Sequence, residues 1–158
     1  VVYYSHYGNT AYVADKFLNA LSKKGETDIA QLEYGVSRQS LLKRFFFRLF
    51  PSLVDLAPLP FDLKDYEVLC LGIPVWGGRP SAPVAKYLHL CKDLSKKKII
   101  CFYIYGIKTS ATRCSRYLRK ILEKKGHPLI FDVFIAWMDV HNQEFLENII
   151  NDAIGRIE

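Results

Sequence analysis

Three apolar runs, Tyr66 to Ile73, Lys98 to Tyr105 and Leu129 to Trp137, are each about eight residues long, and each is followed by a stretch of helical periodicity. Runs this short and this continuously apolar read as strands buried on both faces. Val84, Tyr87, Leu88 and Cys91 form the apolar stripe of a helix over Ser81 to Leu94, and Tyr117, Leu118, Ile121 and Leu122 that of a helix over Ala111 to Lys125. The second of these stops at Gly126, with Pro128 beyond it. Phe145, Leu146, Ile149, Ile150, Ala153 and Ile154 give a last helix its buried face. Buried strands alternating with amphipathic helices predict a parallel sheet with helices on both sides.

The same alternation holds at the start of the chain. Val2-Tyr3-Tyr4 is a short apolar strand, and Thr10 opens a helix whose buried face is Ala14, Phe17, Leu18 and Leu21; Asp28 to Tyr34 reads as the next strand. Between the first strand and its helix stands Ser5-His6-Tyr7-Gly8-Asn9-Thr10. Such a junction leaves backbone N–H groups unpaired beside the positive end of the helix dipole, which suits a phosphate. Ser5, Asn9 and Thr10 add side-chain donors, and Gly8 lets the backbone approach an anion closely. Taken alone, the segment serves equally well as a capped turn.

The loop nevertheless resembles the phosphate loop of flavodoxin-like proteins, Ser/Thr-x-Thr-Gly-x-Thr, with Tyr7 where many members have Thr, a Tyr there being similar to the quinone-reductase branch of the superfamily. A second segment strengthens the likeness. The strand ending Gly72-Ile73-Pro74-Val75-Trp76, followed by Gly77-Gly78, is similar to the family's Gly-x-Pro-x-Trp segment, which lies beside the isoalloxazine ring. The resemblance implies that Trp76 offers the ring a flat apolar face, with Pro74, Val75 and the amides of Gly77 and Gly78 near its polar edge. A third loop, Tyr105-Gly106-Ile107-Lys108, occupies the place from which the family supplies the other wall of the pocket. Tyr105 and Gly106 are its candidates, and Lys108 would put a cation near the ring. The implied fold is a flavodoxin-like three-layer sandwich with a five-stranded parallel sheet of order 2-1-3-4-5, its ligand loops at the carboxyl ends of the strands.

The cofactor implied is FMN, held non-covalently, since the first loop grips a terminal phosphate and no place for an adenosine half is evident. The function implied is a flavoprotein oxidoreductase, passing electrons from a nicotinamide nucleotide or a redox protein to an acceptor such as a quinone. Two other readings stay open: an electron carrier without a substrate of its own, and a cofactor-free binding module. No residue reads as a catalytic acid, base or nucleophile. His6 lies in the first loop, where the resemblance counts it with the cofactor-binding residues and a solvent-facing role fits it better than acid–base chemistry.

With 158 residues, half of them apolar, one domain can bury a sufficient core without disulfide or metal. Cys70, Cys91, Cys101 and Cys114 have no metal-ligand spacing and fall on apolar strands or helix faces, Cys114 being the nearest to an exposed thiol. That usage suits a reducing cytoplasm. No apolar run is long enough to span a membrane, and no signal peptide is visible. The chain begins inside its first strand without an initiator Met, from which we expect further residues ahead of it.

Two features depart from the simple pattern. A basic and aromatic segment, Leu41 to Phe50, sits in an extended crossover over about 36–64, where a compact connection is expected to be short. An ordinary crossover helix under its own proline loop, a flap and an interface all fit it. The net charge is +6, and the stretch from Lys92 to Lys125 holds eleven Lys and Arg against two acids. Flavodoxins that act as electron shuttles are typically acidic, so the basic balance favours acidic partners or nucleotide phosphates. No nucleic-acid-binding motif accompanies it.

Overall fold

The computed structural model describes residues 1–33, 56, 62–126 and 128–157. The Leu41 to Phe50 segment and most of the crossover lie outside them. Each apolar run is a strand and each stripe a helix. In chain order the elements are β1 (Val2–Tyr3), α1 (Asn9–Leu21), β2 (Ala30–Gln31), β3 (Val68–Trp76), β4 (Arg79–Pro80), α2 (Ala82–Leu90), β5 (Lys98–Tyr105), α3 (Lys108–Glu123), β6 (Leu129–Ala136) and α4 (Gln143–Gly155), with a 3-10 turn, Trp137–Asp139, before α4.

Five strands pair in parallel in the order β2-β1-β3-β5-β6, and β4 adds an antiparallel hairpin arm to the end of β3. Counted among the parallel strands alone, this is the expected order 2-1-3-4-5. Alternate residues of each strand feed two cores. On one face Leu71, Ile73, Ile99, Cys101 and Tyr103 meet Val84, Tyr87 and Leu88 of α2 and Leu118 and Leu122 of α3. On the other, Tyr3, Cys70, Ile100 and Phe102 meet Phe17 of α1 and Leu146 and Ile150 of α4. All four thiols are buried and free, Cys114 included.

Boundaries shift where local chemistry decides them. β3 runs past Pro74 to Trp76, beyond the expected end at Ile73. The Gly72 carbonyl points toward β1, accepting from the Tyr4 N–H, and Pro74 has the same parity. Its missing N–H therefore falls beyond the end of β1, where no ladder bond is lost. α2 ends at Leu90 rather than Leu94 because Cys91 turns extended; the Lys125 ammonium donates to the carbonyls of His89 and Cys91 at 2.9 and 2.7 Å. α3 begins at Lys108, three residues early, with the Ile107 carbonyl accepting from Ser110 and Ala111. In α1, Val13 is fully buried while Leu18 is only half-buried.

Candidate functional site

Three loops meet at the carboxyl ends of β1, β3 and β5, where open parallel sheets bind ligands. In the first, the Gly8 N–H donates to the Ser5 hydroxyl at 3.2 Å, folding the loop back on itself. Gly8 precedes α1 with φ +93°, a left-handed conformation that a side chain resists. The first helical bond runs from the Tyr12 N–H to the Gly8 carbonyl at 2.9 Å. The N–H groups of Asn9, Thr10 and Ala11 thus have no acceptor within the helix. No side chain caps this terminus, and no acid stands in its first turn. Thr10, only 3% exposed, is one of three buried polar residues among those described.

The second loop is a two-residue hairpin. Val75 pairs with Pro80 and Trp76 with Arg79. Gly77 and Gly78 make the turn with φ of +58° and +79°, two successive left-handed residues as a type I′ turn requires. A Cβ on Gly78 would lie 3.3 Å from the Cβ of Arg113, so this glycine faces α3. The half-buried indole of Trp76 is edge-on to Tyr4, with centroids 5.9 Å apart, and to His6 at 6.3 Å. Those contacts tie the second loop to the first.

The third loop brings Ile104, Tyr105 and Gly106 to the same place, and the turn after β6 adds Trp137. Together the loops enclose a cleft of about 260 Å3 lined by Ser5, His6, Tyr7, Asn9 and Thr10, by Pro74, Val75 and Trp76, and by Ile104, Tyr105, Gly106 and Trp137. One end is a helix terminus with spare donors; the other is apolar and aromatic. No carboxylate lines it among the described residues. A larger cleft, about 440 Å3, lies at the opposite end of the sheet beside Val1, with Glu26, Asp28, Asp65 and Glu67 outnumbering Lys24 on its walls. Its acidic lining and its position at the amino ends of the strands make it the poorer match to an anionic planar ligand.

Ten of the fourteen residues singled out in the sequence line the first cleft. The other four do not: Gly8 caps α1, Gly77 and Gly78 make the hairpin turn, and Lys108 is exposed at the start of α3. Ile104 and Trp137 line it without having been singled out. The signal for Trp137 was present, since an aromatic residue closing the last apolar run stands where the topology gathers its loops.

The basic stretch divides in two. Lys97 donates to the carbonyls of Lys64 and Tyr66, Lys98 to that of Ile157, and Lys125 to the end of α2. Arg119 binds Asp132 through Nε and Nη2 at 2.8 and 2.7 Å. Those four cations hold the fold together. Arg113, Arg116 and Lys120 stand exposed on α3.

No protein-family model matches the sequence, and no curated protein matches it. Solved structures do match. An NADH:FMN oxidoreductase in its apo form superposes with a TM-score of 0.68 at 12% identity, over 99% of this chain and 86% of that one. Oxidised flavodoxin 1 from Bacillus cereus gives 0.55 at 16% identity, over 97% and 92%. An FMN-dependent NADH-azoreductase from Bacillus anthracis, solved in complex with FMN, gives 0.59 at 10% identity, over 99% and 95%. At these identities the likeness establishes the fold, which is flavodoxin-like.

Proposed function

We propose that this protein binds FMN non-covalently in the cleft and acts as an oxidoreductase, taking electrons from a nicotinamide nucleotide or a redox protein and passing them to an acceptor such as a quinone. The observation that carries this reading is the division of one cleft into a donor-rich helix terminus and an aromatic end. A flavin mononucleotide has matching halves. Its phosphate would take the free N–H groups at the start of α1 with the hydroxyls of Ser5 and Thr10 and the Asn9 amide. Its ring would lie in the part formed by Trp76 and Tyr105. A carboxylate in the lining would repel the phosphate, and the described residues place none there.

When bound, the flavin supplies the hydride and electron transfer. What remains for the chain is to bind, orient and exclude water. Apart from tyrosines, His6 is the one titratable side chain of the lining among the described residues. Its ring is held edge-on against Tyr7 at 4.4 Å and against Trp76, so it positions the loop. Neighbours described as NADH:FMN oxidoreductase and FMN-dependent NADH-azoreductase agree with the enzyme reading, as flavodoxin 1 does with a carrier. Four buried free thiols agree with a reducing compartment, and we place the protein in the cytoplasm.

Anaerobic mixing of the FMN-loaded protein with NADH or NADPH tests the enzyme reading. Rapid loss of the visible flavin absorption, restored by a soluble benzoquinone, is the expected result. Reduction by a reduced redox protein but by neither nucleotide would make the protein a carrier. Failure to retain FMN at all would leave a flavodoxin-like binding module.

A further inference from the structure

Trp137 stands where nothing in the core requires it. The chain leaves β6 at Ala136, turns through Trp137–Asp139, and is anchored again by fully buried Val140. Between those anchors Trp137 is 56% exposed and Met138 is 69% exposed. The two neighbours differ in one respect: Trp137 lines the cleft and Met138 does not. A Cβ placed on Gly106 would lie 3.7 Å from Cδ1 and 3.9 Å from Nε1 of Trp137, so the indole rests against the bare backbone of the third loop. A large aromatic left half in water, at the mouth of a cleft, gains by covering when a planar ring arrives.

We infer that Trp137 is a ring-binding residue of the flavin site, a further wall supplied by the loop after the last strand. The inference rests on the FMN reading and refines it. Trp76 is already held by two edge-on contacts with Tyr4 and His6, and it serves as a fixed surface. Trp137 has no such ring contact among the described residues, and more than half of it is open to a ligand. It therefore governs how firmly the ring system is held, with no part in holding the phosphate. The apolar cover it provides is the same for FMN and for riboflavin.

The test uses the full chain stripped of flavin and titrated with FMN and, separately, with riboflavin, in the parent and in Trp137→Ala, Trp137→Phe and Met138→Ala. Stacking on an aromatic side chain is typically worth enough to change affinity by roughly tenfold. Trp137→Ala is expected to weaken both ligands by about that factor. Trp137→Phe restores most of the loss, and Met138→Ala changes neither. In a Trp76→Phe background the one remaining tryptophan, Trp137, is expected to lose its fluorescence as FMN binds. Parent protein that binds FMN, with riboflavin affinity unchanged in Trp137→Ala, overturns this inference and leaves the FMN reading intact. Parent protein that binds neither flavin removes both. Far-UV circular dichroism melts of each variant exclude unfolding as the cause of any loss.

Discussion

The indole of Trp76 meets the ring of Tyr4 edge-on, with centroids 5.9 Å apart and planes at 85°. Tyr4 is the last core residue before the first loop, and Trp76 ends the long central strand. The contact joins the donor-rich half of the cleft to the aromatic half, so the two ends of the proposed ligand site are fixed relative to one another.

Trp76→Ala removes a wall of the cleft and the brace on the first loop together. FMN and riboflavin are expected to weaken alike, by roughly tenfold or more, since aromatic stacking is worth about 1–3 kcal/mol. Parallel titrations of the two ligands check this. A loss confined to FMN would place Trp76 at the phosphate.

Gly72 stands first in the Gly-x-Pro-x-Trp segment, and its role is packing. A Cβ there would lie 2.5 Å from Phe102 Cζ and 2.6 Å from Tyr3 Cβ, closer than real contacts allow. Phe102 is itself stacked on Phe17 of α1 at 4.9 Å, so it has little room to yield. Gly72→Ala is expected to cost about 1–3 kcal/mol of stability by urea denaturation.

Burial pushes the thiols of Cys70 and Cys114 up to about 12 and that of Cys91 to about 11, and it raises Cys101 as well. Groups held above their ordinary value lend full stability below the pKa of the unfolded chain and lose it as pH rises. The unfolded chain ionises near pH 9 while the folded chain does not. Unfolding free energy is therefore expected to be level to about pH 8.5 and to fall above it, by about 1 kcal/mol per thiol at pH 10. Urea titrations at pH 8 and pH 10 measure the fall. Cys70→Ala should reduce the slope.

Asp132 in β6 accepts from Tyr103 at 2.9 Å, from Ser115 at 2.8 Å and from Arg119 through two nitrogens. The carboxylate side chain is 12% exposed. Asp132→Ala leaves these donors without their shared acceptor and is expected to cost about 2–4 kcal/mol. None of the four residues lines the cleft. Flavin affinity in the variant should match the parent's, which separates a structural network from a ligand site.

The parts of this fold that were legible in the sequence were those whose burial is continuous. β5 begins and ends at the expected Lys98 and Tyr105, because every residue between is packed against helices on one face or the other. The Gly77–Gly78 hairpin was hidden, because a pair of glycines after an aromatic residue reads equally as a flexible loop; the positive φ values that make it a tight turn are set by the strands it joins. Lys108 illustrates the opposite limit. Its place in the chain put it beside the third loop, and there it stands exposed as the first residue of α3, outside the lining of the cleft. Trp137 was read as the end of a strand, and the turn that follows brings it over Gly106.

In the proposed complex the start of α1 holds the phosphate of a flavin whose ring lies in the aromatic end of the same cleft. Titration of flavin-free protein with FMN and riboflavin, in the parent and in Thr10→Val, separates that arrangement from any other. Thr10 is buried in the lining, and valine nearly keeps its volume while removing the hydroxyl. A lost hydrogen bond to a charged group costs about 1.5–3 kcal/mol, or roughly ten- to a hundred-fold in affinity. The parent is expected to prefer FMN to riboflavin, and Thr10→Val to weaken FMN by that factor while riboflavin binding stays as it was. Equal affinity of the parent for FMN and riboflavin, unchanged in the variant, would contradict that arrangement.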